Sequence, residues 1–505
     1  MNYVRLSIIS SFFFGCFALI TSENMLAQSV DWSVPQKFDK KFPNVNVFAH
    51  NDNTVYMYKY GEKLNTIKID SYDEELNLLG QQIVKLKNKE AEINYVHLWH
   101  GQFVIFYTIP NIDIGTLDFY VQKINMNGDF DGEAFMIDER VYLGSKDTHK
   151  SFTLVSSKSK QHMLVVHTCP QMICFKSEET KQEKNTTIFY KMLDKDLKII
   201  WEEELELPYP YKGFSLEEMS IDDNGKVYLM AVNYYNEVHT KIPQKFKYIL
   251  HVYDRSAMSF KDHEININNL FITDLGYTID EKTNNIVIAG FYSSERSYNV
   301  VGTVFAVIDQ SKGSFSKRGF GPFSPLFVDH IALEQPDEDE IATVKYNLDQ
   351  VKVRDDGGAL IIAEGYSTRM AEFYNAATQT YHETHTFEYT NIVIASINPN
   401  GRLDWEQTIT KRQVSENDNG YYSSYQCIDN DGKMNFFFNE AIKREQDVLQ
   451  FYTVDESTGD MYAWLLFNAQ EDALIIPKAG IKFANGRLVM PSLRKGKFSF
   501  VDISF

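Results

Sequence analysis

No sustained helical period runs through this sequence. Apolar residues do not keep recurring at the three- and four-residue spacing that would lay a stripe along a helix. Proline is scarce, at 13 of 505 residues. Only four cysteines occur, so no disulfide framework holds the chain together. Positive charge is outweighed, with 50 Lys and Arg against 69 Asp and Glu and a net charge of -19. That balance argues against nucleic acid and anionic lipid surfaces as partners. Nucleotide and hydrolase signatures are missing too: no P-loop, no dinucleotide fingerprint and no G-x-S-x-G elbow.

What is present is apolar and aromatic. Hydrophobic residues make up 44% and aromatics 14%, including 36 Phe and 30 Tyr. An aromatic-rich, proline-poor chain suits pleated, half-buried strands. The only long apolar run, Leu6–Ile20, follows Arg5 and precedes Leu26-Ala27-Gln28-Ser29. It has the length of a signal-peptide core and is short for a spanning helix. Residues 1–28 are therefore expected to be a signal peptide, cleaved near Ala27 to Ser29, with an uncleaved anchor as the alternative. A lipoprotein would modify Cys16, but Phe17–Ile20 carries the apolar run past that residue. Removing 1–28 takes away Arg5 and Glu23 together, so the net charge stays at -19. No transmembrane segment is expected beyond it. The expected location is exported: periplasmic, outer-surface or extracellular.

A polar turn followed by an apolar strand recurs eight times. The clearest copy is Asp355-Asp356-Gly357-Gly358 leading into Ala359–Ala363. Equivalent turns stand at Asn51-Asp52-Asn53, His100-Gly101, Asp222–Gly225, Thr283–Asn285, Asp429–Gly432 and Asn485-Gly486, and Met163–Val166 begins the matching strand of the third unit. Outer turns stand at Asn127-Gly128, Pro399-Asn400-Gly401 and Ser457-Thr458-Gly459. Asn-Gly and Asp-Gly between apolar runs favour hairpins because the tight turns need positive φ. From Asp222 to Asp429 the units recur every 60 to 75 residues. A bare four-stranded unit needs about 40–50, so the surplus must lie in loops. The stretch over 270–410 resembles bacterial propeller repeats of the form D-G-G-hydrophobics-G … D-x-x-G-x-x-x-W. That resemblance implies a fold and carries over no catalytic residue.

The expected architecture is an all-β propeller of about eight four-stranded blades, with seven as the alternative. Residues 29–505 form one domain, interrupted by insertions at 321–350 and 366–390. The last unit supplies strands at Ile481–Phe483, Arg487–Met490 and Phe498–Ile503 and stops one strand short. Val30-Asp31-Trp32 resembles the outer-strand start Leu403-Asp404-Trp405. The N-terminal strand is therefore expected to join the last blade and close the ring, leaving no open β edge.

Candidate chemistry is sparse. His382-Glu383-Thr384-His385 spaces its histidines at i and i+3, not the i and i+4 of a helical zinc site, and on a strand they face opposite ways. His97 with His100, and His162 with His167, fail in the same way, and His149 stands in a loop. Asp222 and Asp429 open calcium-like sequences but lead into strands, so turn chemistry accounts for them. The acidic run Asp337–Glu340 reads as a solvated loop. No metal and no cofactor are expected, and the catalytic and ligand-binding residues are unknown at this level. Cys169 and Cys174 could close a small disulfide loop or remain two thiols, and Cys427 reads as a small core residue. Trp32, Trp201, Trp405 and Trp464 read as packing between blades. Trp99, Tyr234, Tyr235, Tyr292, Tyr366, Tyr374, Tyr421 and Tyr422 are candidates to line a ring face.

These features point to an exported, non-catalytic binding or scaffold module of the bacterial cell envelope. Its protein or glycan ligand would sit at the funnel or on the inserted loops. The alternative is a carbohydrate-active hydrolase or lyase with carboxylates meeting at the propeller axis.

Overall fold

The computed structural model describes residues 29–504 apart from 52, 142–151, 169–184, 211–213, 235–245, 255, 257–258, 295–296, 334–341, 376–379, 441, 443–448, 466–473 and 484–485. The expected signal peptide with Cys16, the Cys169 and Cys174 pair, His149, Tyr235, Asp337–Glu340 and the side chain of Tyr234 lie outside the described residues.

The strands form eight antiparallel sheets, each a blade built in chain order from its innermost strand A to its outermost strand D. Blades 1 to 8 begin with A strands at Asn44–Asn51, Glu92–Trp99, Phe152–Ser156, Phe214–Ile221, Phe271–Ile279, Ala342–Val353, Gln426–Asn430 and Ile481–Lys482. Blade 6 gains a fifth strand, Gln413–Glu416, and blade 8 gains Gln36–Lys37. The turn repeat has a physical basis. In blades 1 to 7 the C-to-D turn opens with Asp73, Asn125, Asp194, Asp254, Asp309, Asn398 or Asp455, whose side chain accepts a backbone N–H two to four residues on. Such side chains stand in for a backbone acceptor and fix the turn. Asp222 does the same in an A-to-B turn, accepting from the N–H groups of Asn224 and Lys226.

The core lies between blades, not within them. Eight apolar clusters occupy the eight blade interfaces, from Ile69 and Phe103 between blades 1 and 2 round to Met57 and Phe500 between blades 1 and 8. A blade buries its two faces only when flanked on both sides, which is why the count settles at eight and the ring closes. Trp201 stacks on Tyr253 of blade 4 at 5.0 Å and 9°. The ring of Trp405 lies against Gly459, where a Cβ would come within 2.7 Å of it. Both tryptophans pack between blades as expected. Cys427 is half-buried against the cluster between blades 6 and 7.

Blade 8 takes its D strand from the other end of the chain. Ser29–Trp32 pairs with Val501–Ser504 in unbroken antiparallel register. Ser33 continues the contact, its Oγ accepting from the Phe500 N–H at 2.8 Å, and Gln36 and Lys37 pair with Phe498 and Lys497. Val30 and Trp32 alternate inward onto the cluster shared with blade 7.

The interruptions gather at one face. Strand alternation puts every B-to-C turn and every D-to-A connection on the same side of the ring. Within 321–350, Gly321 and Pro322 complete strand Ser314–Pro322, helix Pro325–Ile331 follows, and the A strand of blade 6 begins at Ala342. The interruption is thus narrower than the composition suggested. Ser324 caps the helix and Pro325 opens it, a favoured start because proline lacks the N–H that would be unpaired there. Residues 366–390 are not a loop. Strands Ala359–Asn375 and Thr380–Ile397 keep pairing far beyond the blade and rise from it as a hairpin arm.

Deleting residues 29–42 should expose Met490, Val501 and Ile503 and lower stability by about 3–5 kcal/mol, comparable to emptying one large core site. Thermal melting read by circular dichroism checks this, and an unchanged midpoint contradicts the closure.

Candidate functional site

Buried charge occurs at several places among the described residues, including Lys59 with Asp70 in blade 1 and Lys191 with Asp138 across blades 2 and 3, and two further places bear on function. The first lies on the face carrying the arm, between blades 6 and 7. Strand B of blade 6 runs apolar through Ala359–Ala363 and then reaches Glu364, only 3% exposed at its side chain. Gly365 follows at a register break where the blade becomes the arm. A Cβ on Gly365 would stand 2.1 Å from Thr390 Oγ1, so only glycine lets the two strands pass there. Lys411, just after strand Leu403–Ile409, sends its ammonium into the same interior and pairs with Glu364.

The pair is enclosed by further partners. Lys411 Nζ donates to Gln413 Oε1 at 2.9 Å, and Ser424 Oγ donates to Glu364 Oε2 at 2.5 Å. Gln413 Nε2 donates to the Asn439 carbonyl of blade 7 at 2.6 Å. Beside them the Tyr425 hydroxyl donates to Asp349 at 2.7 Å. Burial pushes the Asp349 carboxyl up to about 6, with Glu364 adding to the rise against the Tyr425 hydrogen bond and two lysines. Burial also pushes the Lys411 ammonium down, against the pull of Glu364. A buried pair of this kind repays its desolvation only when the remaining polar atoms are also satisfied, and here most are.

Above this floor opens a cavity of ≈ 550 Å³, within the range of small-ligand sites. Blade 6 contributes Tyr366, Ser367, Arg369 and Glu388 to one wall, and blade 7 contributes Phe438, Gln450 and Tyr452 to the other. Glu388 pairs with Arg412 at 2.6 Å, and Phe438 stacks on Tyr452 at 5.8 Å and 9°. A strap from Gln413 to Tyr425 braces the region. Gln413–Glu416 pairs with Thr386–Tyr389 at the arm's base, and Asn417 exchanges hydrogen bonds with the His385 backbone. Tyr421 then reaches blade 1, where its hydroxyl meets the Val45 N–H at 2.7 Å.

The second place is the axis. Five A strands carry a one-residue bulge, at Phe48, Asn94, Glu217, Thr273 and Asp349. Bulges re-aim side chains and recur near functional sites. Glu218 is exposed by area, yet desolvation pushes its carboxyl up to about 7, with Asp274 adding to the rise against a hydrogen bond from the Tyr277 N–H. Its Oε2 lies against the A strand of blade 5, 3.4 Å from the Tyr277 nitrogen. Asp274 of blade 5 is raised as well, chiefly by burial, while Lys345 and the Leu348 N–H oppose the rise.

Several sequence candidates do not converge. His382 meets Thr380, His385 meets Glu383 at 3.6 Å, and the two histidines are not brought together. His97, half-buried, and His167, buried, pack against aromatic rings and are pushed down to about 4 and about 3 by desolvation. Trp99 lines no open face: it is buried between blades 2 and 3, and its indole N–H donates to the Lys195 carbonyl. Tyr292 is core. Of the tyrosines proposed to line a face, Tyr366 lines the cavity, Tyr374 packs at a tilt against Tyr381 on the exposed arm, and Tyr421 and Tyr422 belong to the strap. The acids and lysine of the floor were not among the sequence candidates. Their one readable signal is Glu364 closing an otherwise apolar strand.

No protein-family description and no curated protein sequence matches the chain. Among solved structures, a PL25 polysaccharide lyase acting as an ulvan lyase is similar at 10% identity, over 79% of this chain and 89% of that one, with TM-score 0.38. The β-propeller domain of the Trilobed protease from Pyrococcus furiosus is similar at 12% identity over 88% and 97%, with TM-score 0.35. The WD40 domain of SCAP from fission yeast is similar at 8% identity over 94% of both chains, with TM-score 0.37. Likeness at this level carries no information about activity. Among the described residues, no helix is long and apolar enough to cross a membrane, and no group of three or more His, Cys, Asp or Glu could hold a metal ion.

Two outcomes test the site. Lys411→Ala leaves Glu364 buried without its counter-charge and should cost about 3–5 kcal/mol in urea unfolding; a loss below about 1 kcal/mol contradicts the buried pair. Glu218 has a folded value above its unfolded one, so the folded state holds its proton longer. Stability should therefore fall as pH rises from about 4.5 through about 7. Glu218→Gln should flatten that part of the pH–stability curve, and an unaltered slope would refute the placement.

Proposed function

We propose that this chain is an exported, non-catalytic binding or scaffold module of the bacterial cell envelope. In this reading it holds its ligand at the blade 6–7 cavity and the adjoining arm. The observation that carries the reading is the state of the charges around the cavity. Lys411 is locked to Glu364 and Arg412 is paired with Glu388. Charges neutralised by one another shape and polarise a cavity, whereas general acid–base work needs a group free to exchange a proton with substrate. The rigid ring beneath and the arm beside the cavity give several elements from which a ligand can be gripped at once. Export rests on the Leu6–Ile20 segment alone.

A second reading has its own observation. Glu218 and Asp274 come from neighbouring blades to the axis, and both carboxyls are raised. A carboxyl poised near neutrality beside a second raised one suits general acid catalysis, as in a carbohydrate-active hydrolase or lyase.

The deciding experiment incubates residues 29–505 with a panel of polysaccharides and peptides, following both binding and release of new chain ends. Binding without turnover is expected, unchanged in Glu218→Gln. Turnover abolished by Glu218→Gln would replace the binding reading with the enzymatic one.

A further inference from the structure

The two walls of the blade 6–7 cavity differ in chemistry. The blade 7 wall is aromatic: half-buried Tyr452 is its accessible ring, backed by the fully buried Phe438 that stacks on it. The blade 6 wall is hydroxylic and planar-polar. Ser367 is 6% exposed, lines the cavity, and its Oγ has no hydrogen-bond partner among the described residues. Thr390 Oγ1, also on the lining, is buried and without a partner in the same sense. A buried hydroxyl left unsatisfied is costly, and each such group in a folded protein calls for an explanation. Two of them on the wall of one cavity are explained together by a ligand that supplies donors and acceptors of its own.

The strands that form the walls narrow the class of ligand. Ser367 is paired on one side with Val344 and on the other with Glu388, and Phe438 is paired with Gln450. The strands that carry Ser367, Glu388, Phe438 and Tyr452 are interior to their sheets, and the one edge strand on the lining, Ala342–Val353, contributes only Val344, so these walls offer no open backbone edge to an extended peptide. Recognition has to come from side chains. The charges add a second restriction. Lys411 and Arg412 are neutralised by Glu364 and Glu388, and the other two ionic residues on the lining, Arg369 and Glu440, are opposite in sign. The cavity therefore offers no excess of either charge to a strongly ionic ligand.

A molecule with an apolar face and hydroxyls around its edge fits both walls. We propose that the blade 6–7 cavity binds a neutral saccharide of one or two rings. One face would stack on Tyr452, and the ring hydroxyls would be met by Ser367 and Thr390. The inference rests on the binding reading above and narrows its ligand. It also explains why Ser367 keeps an unsatisfied hydroxyl where alanine would pack without penalty.

The test titrates residues 29–505 with neutral mono-, di- and trisaccharides of gluco, galacto and manno configuration, using saturation-transfer NMR and calorimetry, with a random peptide library in parallel. At least one neutral saccharide should bind. Tyr452→Ala should weaken it roughly tenfold or more through loss of the stacking face. Ser367→Ala should weaken it roughly fivefold while the melting temperature stays level or rises, because the variant discards an unsatisfied group. A merely structural Ser367 would shift the melting temperature and leave affinity alone, which overturns the proposal. Saccharide binding untouched by both variants overturns it too. Peptide binding lost in Arg369→Ala, with no saccharide bound, overturns the saccharide inference and leaves the binding reading in place. Silence from both ligand classes removes both.

Discussion

Every blade of this protein is apolar on both faces, so none can be buried alone. Blade 5, for example, gives Ile286 and Ile288 to the cluster it shares with blade 4 and Val287 and Ala289 to the one it shares with blade 6. An open array would leave two such faces in water, at roughly 25 cal/mol for each Å² of apolar surface. The chain therefore has to return to its start. Seven blades have their C and D strands joined by a tight turn capped by an Asp or Asn side chain. The eighth joins strands from opposite ends of the chain through the pairing of Ser29–Trp32 with Val501–Ser504. Pairing and packing act together there, since Val30 and Trp32 reach the cluster that also holds Met490 and Ile503.

A closed ring is stiff, and stiffness allows the blade 6–7 interface to carry charge, as Lys59 and Asp70 do beside blade 8. Seating Lys411 and Glu364 inside an apolar wall would be disruptive if the surrounding strands could shift. Here Gln413, Ser424 and Asn439 fix the surrounding polar atoms, and the strap from 413 to 425 ties the arm, blade 7 and blade 1 into one assembly. Blade 8 makes room for this strap because its A strand is only two residues long, Ile481–Lys482. The tyrosines of the strap, Tyr421 and Tyr422, pack against the cluster between blades 8 and 1. The Tyr421 hydroxyl meets the Val45 backbone of blade 1, accepting from its N–H and donating to its carbonyl.

The repeat was legible in the sequence because its cause is local. A capping Asp or Asn followed by glycine or another residue at positive φ specifies a turn without help from distant residues, as at Asp222–Gly225 and Asn398–Gly401. Alternating apolar residues then name the strands. The closing strand was legible for a related reason: Trp32 repeats the outer-strand tryptophan of other blades. The arm was misread as a loop because its Thr-, Tyr- and His-rich strands face solvent on both sides, so no apolar alternation marks them. The floor of the cavity was illegible for a non-local reason. Glu364, Lys411, Ser424 and Asp349 stand far apart in sequence, and their identity as one network depends on which blades the ring makes neighbours. Trp99 failed as a face residue because the sequence position that ends an inner strand does not say which side of the blade its indole takes.

Ring closure is the claim on which the site, the strap and the cavity all depend. Native-state hydrogen exchange at the amides of Val30–Trp32 and Val501–Ser504 measures it most directly. If the two ends are paired as described, both segments should exchange together, with protection approaching that of the blade cores. Exchange of Val30–Trp32 at the rate of an unstructured peptide, with blade 8 otherwise protected, would contradict the account.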